Sequence, residues 1–148
     1  MLKYIFQNEA IPCMKPGIEL ENGYLIVEAR KPDGSPLPNA TVRIESEDRE
    51  VNIKSKVLKT DANGRTETIT VPAPARRYSL LETSIVVPFT RLTIRVEYPG
   101  YYTNVYKHAQ VFARTTTTQT SRMTPLPAGM KNVPGLEKVY EIPAQPLK

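Results

Sequence analysis

Short segments in which apolar and polar residues alternate strictly dominate this sequence. The clearest is RLTIRVEY, residues 91–98, where Leu92, Ile94 and Val96 alternate with charged or polar side chains. Successive side chains of a β-strand point to opposite faces of its sheet, so this pattern predicts a strand with one buried face. A face of this kind needs a second layer to cover it, and the sequence therefore predicts an all-β protein.

Six further segments have strand character, and turn-forming residues separate them. They cover residues 23–30, 39–46, 49–60, 65–71, 103–113 and 115–123. The 14 prolines, twice the number of glycines, lie mostly between these apolar runs and toward the two ends of the chain. No segment shows a sustained helical period. We predict a single antiparallel seven-stranded β-sandwich with Greek-key connections, of the immunoglobulin-like kind.

The alternation also predicts the core and the limits of the domain. The inward phase contains Leu25, Val27, Val42, Ile44, Ile69, Leu92, Ile94 and Val96. We assign residues 21–127 to the sandwich, residues 1–20 to an N-terminal arm and residues 128–148 to a Pro-rich C-terminal arm. The C-terminal arm contains Val139, Tyr140 and Ile142, which need a surface that covers them. That surface is either their own domain or a neighbouring subunit.

The segment TDANGR, residues 60–65, resembles both the start of a calcium-binding loop and a tight turn. A calcium loop requires oxygen ligands at fixed spacing and a Glu at its twelfth position. Counted from Asp61, the fifth position is Arg65 and the twelfth is Pro72. The turn interpretation fits better, because Asn63-Gly64 tolerates the left-handed backbone of a short reversal. The predicted turn residues are Asp61, Asn63, Gly64 and Gly100.

No set of residues in the sequence predicts an active site. His108 is the one histidine and Cys13 the one cysteine, so a multi-histidine metal site is disfavoured. A Cys13–His108 dyad is the formal alternative, although a lone thiol is more often an inert apolar group. The glycines are isolated and do not form a phosphate-binding loop. We therefore predict a protein that is not an enzyme and has no catalytic, cofactor-binding or metal-binding residues.

Charge and terminal sequence bear on partners and location. The net charge is +5 with a pI near 9.3, but the basic residues are scattered along the chain. This scatter disfavours nucleic-acid binding. The N-terminus lacks the pattern of a secretory signal, and no run is long enough for a membrane-spanning helix. We predict a chain that is made in the cytoplasm without a signal peptide and has no membrane span.

Four longer motifs resemble a known family. They are GYLIVEARKPDGSPLPNATVRI from residue 23, TDANGRTETITVPAP from residue 60, LTIRVEYPGYYT from residue 92 and QTSRMTPLP from residue 119. Together they resemble the carboxypeptidase-regulatory-like, or transthyretin-like, β-sandwich. The closest versions are those of Gram-positive phage-associated proteins and spore cortex-lytic enzyme prodomains. The resemblance implies a transthyretin-like fold over residues 23–127 and is poorly specific for function.

These observations predict a structural subunit of a large assembly, such as a bacteriophage virion or a phage-like tail or capsid accessory protein. Its partners would be other protein subunits, and its location the virion. The predicted interface is Val139, Tyr140 and Ile142, so a chain trimmed to residues 21–127 should fold without associating. The alternative is a module that binds wall glycan or a partner enzyme at the spore or cell wall. In that case Tyr101, Tyr102 and Tyr106 would form a small aromatic platform.

Overall fold

The computed structural model describes residues 18–47, 55–80, 87–130 and 136–142, which form two packed β-sheets. The strands are β1 (Leu20–Arg30), β2 (Thr41–Ser46), β3 (Lys56–Lys59), β4 (Ile69–Pro74), β5 (Phe89–Glu97), β6 (Thr103–Phe112), β7 (Thr116–Arg122) and β8 (Glu137–Glu141). Two short 3-10 helices cover Arg76–Leu80 and Ala128–Met130, and the described residues contain no α-helix. Neither of these helices has the length and apolar character needed to cross a membrane. The prediction of an all-β sandwich is confirmed.

The sheets differ in two respects from the predicted seven antiparallel strands. The three-stranded sheet has the order β4-β1-β7, and the five-stranded sheet has the order β3-β2-β5-β6-β8. β7 runs parallel to β1, and β8 runs parallel to β6. The eighth strand lies in the segment predicted as an arm. The prediction of seven strands, all antiparallel, is wrong because alternation along one strand carries no information about the direction of its neighbour.

The core lies between the two sheets. All eight side chains predicted to be inward are at most 3% exposed, so that prediction is confirmed. A buried polar group connects the sheets: Asn104 of β6 donates from Nδ2 to Ser121 Oγ of β7 at 2.8 Å and to the Arg122 carbonyl at 3.0 Å. The Tyr106 hydroxyl donates to the same Ser121 Oγ at 3.0 Å. Burial raises the pKa of this tyrosine, so its hydroxyl stays protonated in the interior.

Two predicted strands have different limits in the structure. The strand expected at residues 65–71 begins at Ile69 and continues to Pro74. Before it, Thr66 bonds to Val27 through both its backbone N–H and its hydroxyl, which interrupts the regular ladder. β4 is an edge strand and therefore tolerates prolines. Of the strand expected at residues 49–60, Lys56–Lys59 is observed, and residues 48–54 lie outside the described part of the chain.

The segment from Asp61 to Arg65 is a tight turn. Asp61 Oδ1 accepts hydrogen bonds from the backbone N–H groups of Asn63 at 2.8 Å and Arg65 at 3.1 Å. Gly64 has a φ of +74°, the left-handed conformation that a side chain disfavours. The Gly64 N–H donates to the Asp61 carbonyl at 2.9 Å. The Asp61 carboxylate therefore fixes the backbone of this turn.

We expect Gly64→Ala to lower the free energy of unfolding by about 1 kcal/mol or more. An added Cβ would lie 2.6 Å from the Ala29 carbonyl oxygen and 3.0 Å from the Leu37 nitrogen, both backbone atoms. Gly34→Ala is the matched control, because Gly34 also has a positive φ but nothing lies within 4 Å of its Cβ position. Urea unfolding of both variants measures the difference. Equal losses would show that close packing at Gly64 adds nothing to the backbone strain.

Candidate functional site

β8 forms one open edge of the five-stranded sheet. It pairs with β6 from Thr103↔Glu137 to Lys107↔Glu141. Hydrogen bonds from Thr103 N–H to the Leu136 carbonyl (2.9 Å) and from Ile142 N–H to the Lys107 carbonyl (3.0 Å) extend the pairing at both ends. In the described part of the chain, no strand pairs with the other side of β8. An edge of this kind can accept a further strand from another chain.

The three residues predicted as an interface lie at or beside β8 in different environments. Val139 is 50% exposed and lies opposite Val105, which is 1% exposed although it lies outside the core cluster between the sheets. Tyr140 is 41% exposed, and its ring stacks on the buried Tyr106 with centroids 5.0 Å apart. Ile142 is partly buried and packs against the core. The structure thus presents Val139 and Tyr140 to solvent, while Ile142 contributes to its own domain.

β3 forms the opposite edge of the same sheet. Within the described residues it pairs with β2 alone. Its Val57 is 55% exposed, more than any other large apolar side chain in the described residues. Val57 was not predicted from the sequence, and no sequence pattern marks it. Its outward orientation follows from the register of β3, in which Leu58 pairs with the buried Val42.

The strand registers place the two exposed valines in one row across the outer face. The row runs Val57, Arg43, Arg95, Val105, Val139, each residue paired with the next. Val57 and Val139 occupy its two ends, one at each edge of the sheet. The two exposed valines therefore lie at the same position along their strands, on opposite edges of the sheet.

The charges at the two edges have opposite sign. β3 contributes Lys56 and Lys59, whereas β8 contributes Glu137 and Glu141 on its outer face. The fifth charge, Lys138, has its Nζ 5.2 Å from the centre of the Tyr102 ring and so faces its own chain. Opposite charges on two edges favour pairing between different edges over pairing of an edge with itself.

Two ion pairs neutralise the centre of the outer face. Arg43 Nε lies 3.2 Å from Glu97 Oε2, and Arg95 Nη1 pairs with Glu137 Oε2. These pairs are half-exposed, so each contributes little to stability. Because the arginines are already paired, the centre of this face is poorly suited to bind an additional anion. Among the described residues, the outward-facing backbone groups of β3 and β8 are the part of this sheet that no strand pairs with.

Glu47 and His108 form a second cluster, at a β-bulge between β5 and β6. His108 has a φ of +65°, and the pairing of β5 with β6 shifts between Leu92 and Ile94. Glu47 Oε2 accepts from the His108 backbone N–H and from the Thr93 hydroxyl, both at 2.8 Å. His108 Nδ1 lies 2.8 Å from Glu47 Oε1. This carboxylate holds the irregular backbone of the bulge in place.

We expect Glu47→Gln to reduce the loss of stability that acid causes. Burial raises the pKa of Glu47, but hydrogen bonds from the His108 backbone, the Thr93 hydroxyl and the His108 ring outweigh it and hold the pKa below its ordinary value near 4.5. The unfolded chain therefore binds the proton more readily, so this stability is present above pH 4.5 and is lost as pH falls through the lowered pKa. Urea unfolding between neutral and acid pH measures the effect, with the exposed Glu67→Gln as control. Identical pH profiles for the native protein and Glu47→Gln would contradict this assignment.

The remaining residues singled out in the sequence do not converge on a site. Tyr106 is 7% exposed and Tyr101 packs edge-on against Tyr98 at 5.8 Å, so Tyr101, Tyr102 and Tyr106 form no shared platform. Cys13 lies outside the described residues. Those residues contain no group of three or more His, Cys, Asp or Glu side chains placed to hold a metal ion.

A third charged cluster lies where β1 meets the first 3-10 helix. Glu21 accepts from the Arg76 backbone N–H at 2.9 Å and from Arg114 Nη2 at 2.6 Å, and these contacts hold its pKa below the ordinary value. Arg77 Nε pairs with Glu19 Oε1 at 3.0 Å. The cluster pairs its own charges and thereby anchors the 3-10 helix to β1.

We expect calcium or a chelator to leave the melting temperature unchanged. The Asp61 carboxylate already has a structural role, because its Oδ1 accepts hydrogen bonds from the backbone N–H groups of Asn63 and Arg65 and is therefore not free to bind calcium. A ligand that binds the native state raises its melting temperature, so differential scanning calorimetry with calcium and with chelator tests the point directly. A calcium-dependent rise of several degrees would show that the turn is also a metal loop.

The comparisons with known proteins place the fold but not the family. The chain matches no protein-family model and no curated protein sequence. Among solved structures it is similar to 3-chlorocatechol 1,2-dioxygenase from Rhodococcus opacus 1CP, with 14% identity, a TM-score of 0.50 and coverage of 79% of this chain and 66% of that one. It is also similar to catechol 1,2-dioxygenase from Acinetobacter sp. ADP1, with 16% identity, a TM-score of 0.52 and coverage of 88% and 61%. Catechol 1,2-dioxygenase from Pseudomonas arvilla C-1 is similar as well, with 12% identity and a TM-score of 0.52; the match covers 82% of this chain and 57% of that one.

These matches correct the family resemblance drawn from the sequence motifs. The chain spans less than two thirds of the length of each of the three dioxygenases. Identities this low indicate a shared β-sandwich and nothing about activity. The carboxypeptidase-regulatory-like resemblance is wrong: no family model matches, and the similar structures described above are dioxygenases. Its motifs are turns and alternating strands, which unrelated sandwiches also need.

Proposed function

We propose that this chain is a non-enzymatic structural subunit of a large protein assembly, of the kind found in a bacteriophage virion or a phage-like tail or capsid. One observation carries the proposal: both edges of the five-stranded sheet are open in the described residues, and each displays an exposed valine in the same row. Edges that expose both backbone groups and apolar side chains favour the addition of a strand from a partner.

The edges also favour selective association over aggregation. Natural sheets protect their edges with short strands and charged residues, especially lysine. β3 has four residues with lysine at each end, and β8 has five residues with glutamate at each end. These charges repel edge strands that carry charge of the same sign. The central valine of each edge remains available to a strand whose charges are of opposite sign.

Apolar side chains at these edges would contribute to a subunit contact. Full burial of a large apolar side chain contributes about 1.5–3 kcal/mol before ordering costs. Val57, Val139 and Tyr140 are each roughly half-exposed, so their burial yields part of that sum. Main-chain hydrogen bonds to the added strand supplement it. Such a contact is weak alone and becomes strong when an assembly repeats it.

A virion is the assembly that we test, because its subunits repeat the same contacts many times and so multiply a weak edge contact. The experiment detects the full chain by antibody in particles purified by density gradient from cells that produce it. We expect the chain to sediment with the particles and to remain there after a high-salt wash. A chain found only in the free protein fraction, or bound instead to purified cell walls, would overturn the proposal. Wall binding would favour a glycan-binding or enzyme-binding module.

A further inference from the structure

We infer that the partner of each open edge is a second copy of this chain, with β3 of one copy paired antiparallel to β8 of the next and Val57 opposite Val139. The inference rests on the proposed function, that the chain is an assembly subunit. It adds which surfaces meet, in which direction and in which register.

The strand directions of the sheet allow this pairing. β3 is antiparallel to β2, β2 to β5 and β5 to β6, whereas β6 is parallel to β8. β3 and β8 of one copy therefore run in opposite directions. A second copy moved across the sheet, and turned by the twist that accumulates from β3 to β8, places its β3 antiparallel beside the β8 of the first. The two sheets then continue as one.

The register follows from the row that the two valines share. Val57 and Val139 are the two ends of the same row. When a second copy is placed beside the first with no shift along the strand direction, its Val57 therefore lies directly opposite Val139 of the first. The same register places Glu137, which already pairs with Arg95 of its own chain, opposite Lys59 of the neighbouring copy, so Lys59 extends this ion pair. It also places Tyr140 opposite Lys56, on the core side of both strands. A slip by one residue would turn each valine toward the wrong face.

Pairing of an edge with itself is less favourable. Two β8 strands paired antiparallel about Val139 would place Glu137 of each copy opposite Glu141 of the other, and like charges directly opposite destabilise a sheet. Two β3 strands would bring together four lysines. Pairing between unlike edges joins opposite charges and generates a ring or an open row of subunits, which suits a repeating assembly.

The experiment uses two edge variants of the full chain, Val57→Lys and Val139→Lys, and measures native mass by light scattering across a concentration series. Each substitution adds a charge at one edge and leaves the other edge intact. We expect the native chain to show a mass that rises with concentration, and each variant alone to remain at the 16.7 kDa of one chain. Mixed in equal amounts, the variants should form a species of two chains that does not grow. The intact β8 of one variant then pairs with the intact β3 of the other, and both remaining edges are blocked.

Three controls make the outcome decisive. Val87→Lys changes another exposed valine, 46% exposed and outside both edges, and should associate like the native chain. Circular dichroism and melting temperature establish that the variants are folded. If either variant is not, Lys59→Glu replaces it: this change places two glutamates opposite each other in the predicted register, leaves the Arg95–Glu137 pair intact and should abolish association.

Several results would overturn the inference. They are a native chain that stays at the mass of one chain up to its solubility limit, variants that associate as well as the native chain, and variants that fail to pair when mixed. The proposed function is tested separately by sedimentation with particles. A chain that sediments with particles but shows none of this edge pairing keeps the proposed function and loses the inference.

Discussion

We expect Ile94→Ala to lower the free energy of unfolding by about 2–5 kcal/mol, the range found for large-to-small changes in protein cores. Ile94 is fully buried at the centre of β5, where it pairs with Ile44 on one side and Tyr106 on the other. Both neighbouring strands hold their positions in the sheet, so the structure relaxes little around the lost side chain and a cavity remains.

Urea unfolding monitored by circular dichroism measures this loss. Val57→Ala is the control, since it removes an aliphatic side chain from the same sheet at a position that is 55% exposed. We expect its effect to stay within about 0.5 kcal/mol, as for most surface substitutions. If the two losses were exchanged in size, the strand phase would be inverted and the assignment of inner and outer faces would be wrong.

We expect Gly23→Ala to lower the free energy of unfolding by about 3 kcal/mol or more, the upper end of the range typical of overpacking. A Cβ at this position would lie 2.4 Å from the Phe112 carbonyl oxygen and 2.7 Å from Val111 Cγ1. The nearer atom belongs to the backbone of β6, so β1 and β6 must move apart to accommodate the methyl group. The close approach of these strands therefore requires glycine.

Gly129→Ala is the matched control for that change. Nothing lies within 4 Å of the Cβ position of Gly129, so the same substitution there meets no steric obstacle. The melting temperatures of the two variants compare the effects directly. A Gly23→Ala variant as stable as Gly129→Ala would contradict the close approach of β1 to β6.

The elements that sequence reasoning found are those in which one buried face determines the pattern. β5 is the clearest case: Leu92, Ile94 and Val96 are fully buried, as the alternation predicts. Direction and partner are set by contacts between distant segments. β7 is rich in threonine and pairs in parallel with β1 about ninety residues earlier, from Tyr24↔Thr116 to Arg30↔Arg122. Nothing in either segment alone specifies that pairing.

The candidate interface was found in part for the same reason. Val139 and Tyr140 stood out as apolar residues in a segment without alternation, which indicated a need for cover but not that the segment is a strand. β8 has five residues, and adjacent Val139 and Tyr140 are both exposed, so it shows no buried face. Val57 was missed because its importance depends on β3 being an edge, and the order of strands in a sheet follows from the whole fold.

The most direct test of the account is competition for a place in the particle. The native chain and the double variant Val57→Lys/Val139→Lys are produced together in equal amounts, and their ratio is measured in purified particles by mass spectrometry. If the open edges of the sheet make the contacts between subunits, the particles contain the native chain almost exclusively, while Val87→Lys in the same competition is incorporated as well as the native chain. Equal incorporation of the folded double variant would contradict the account.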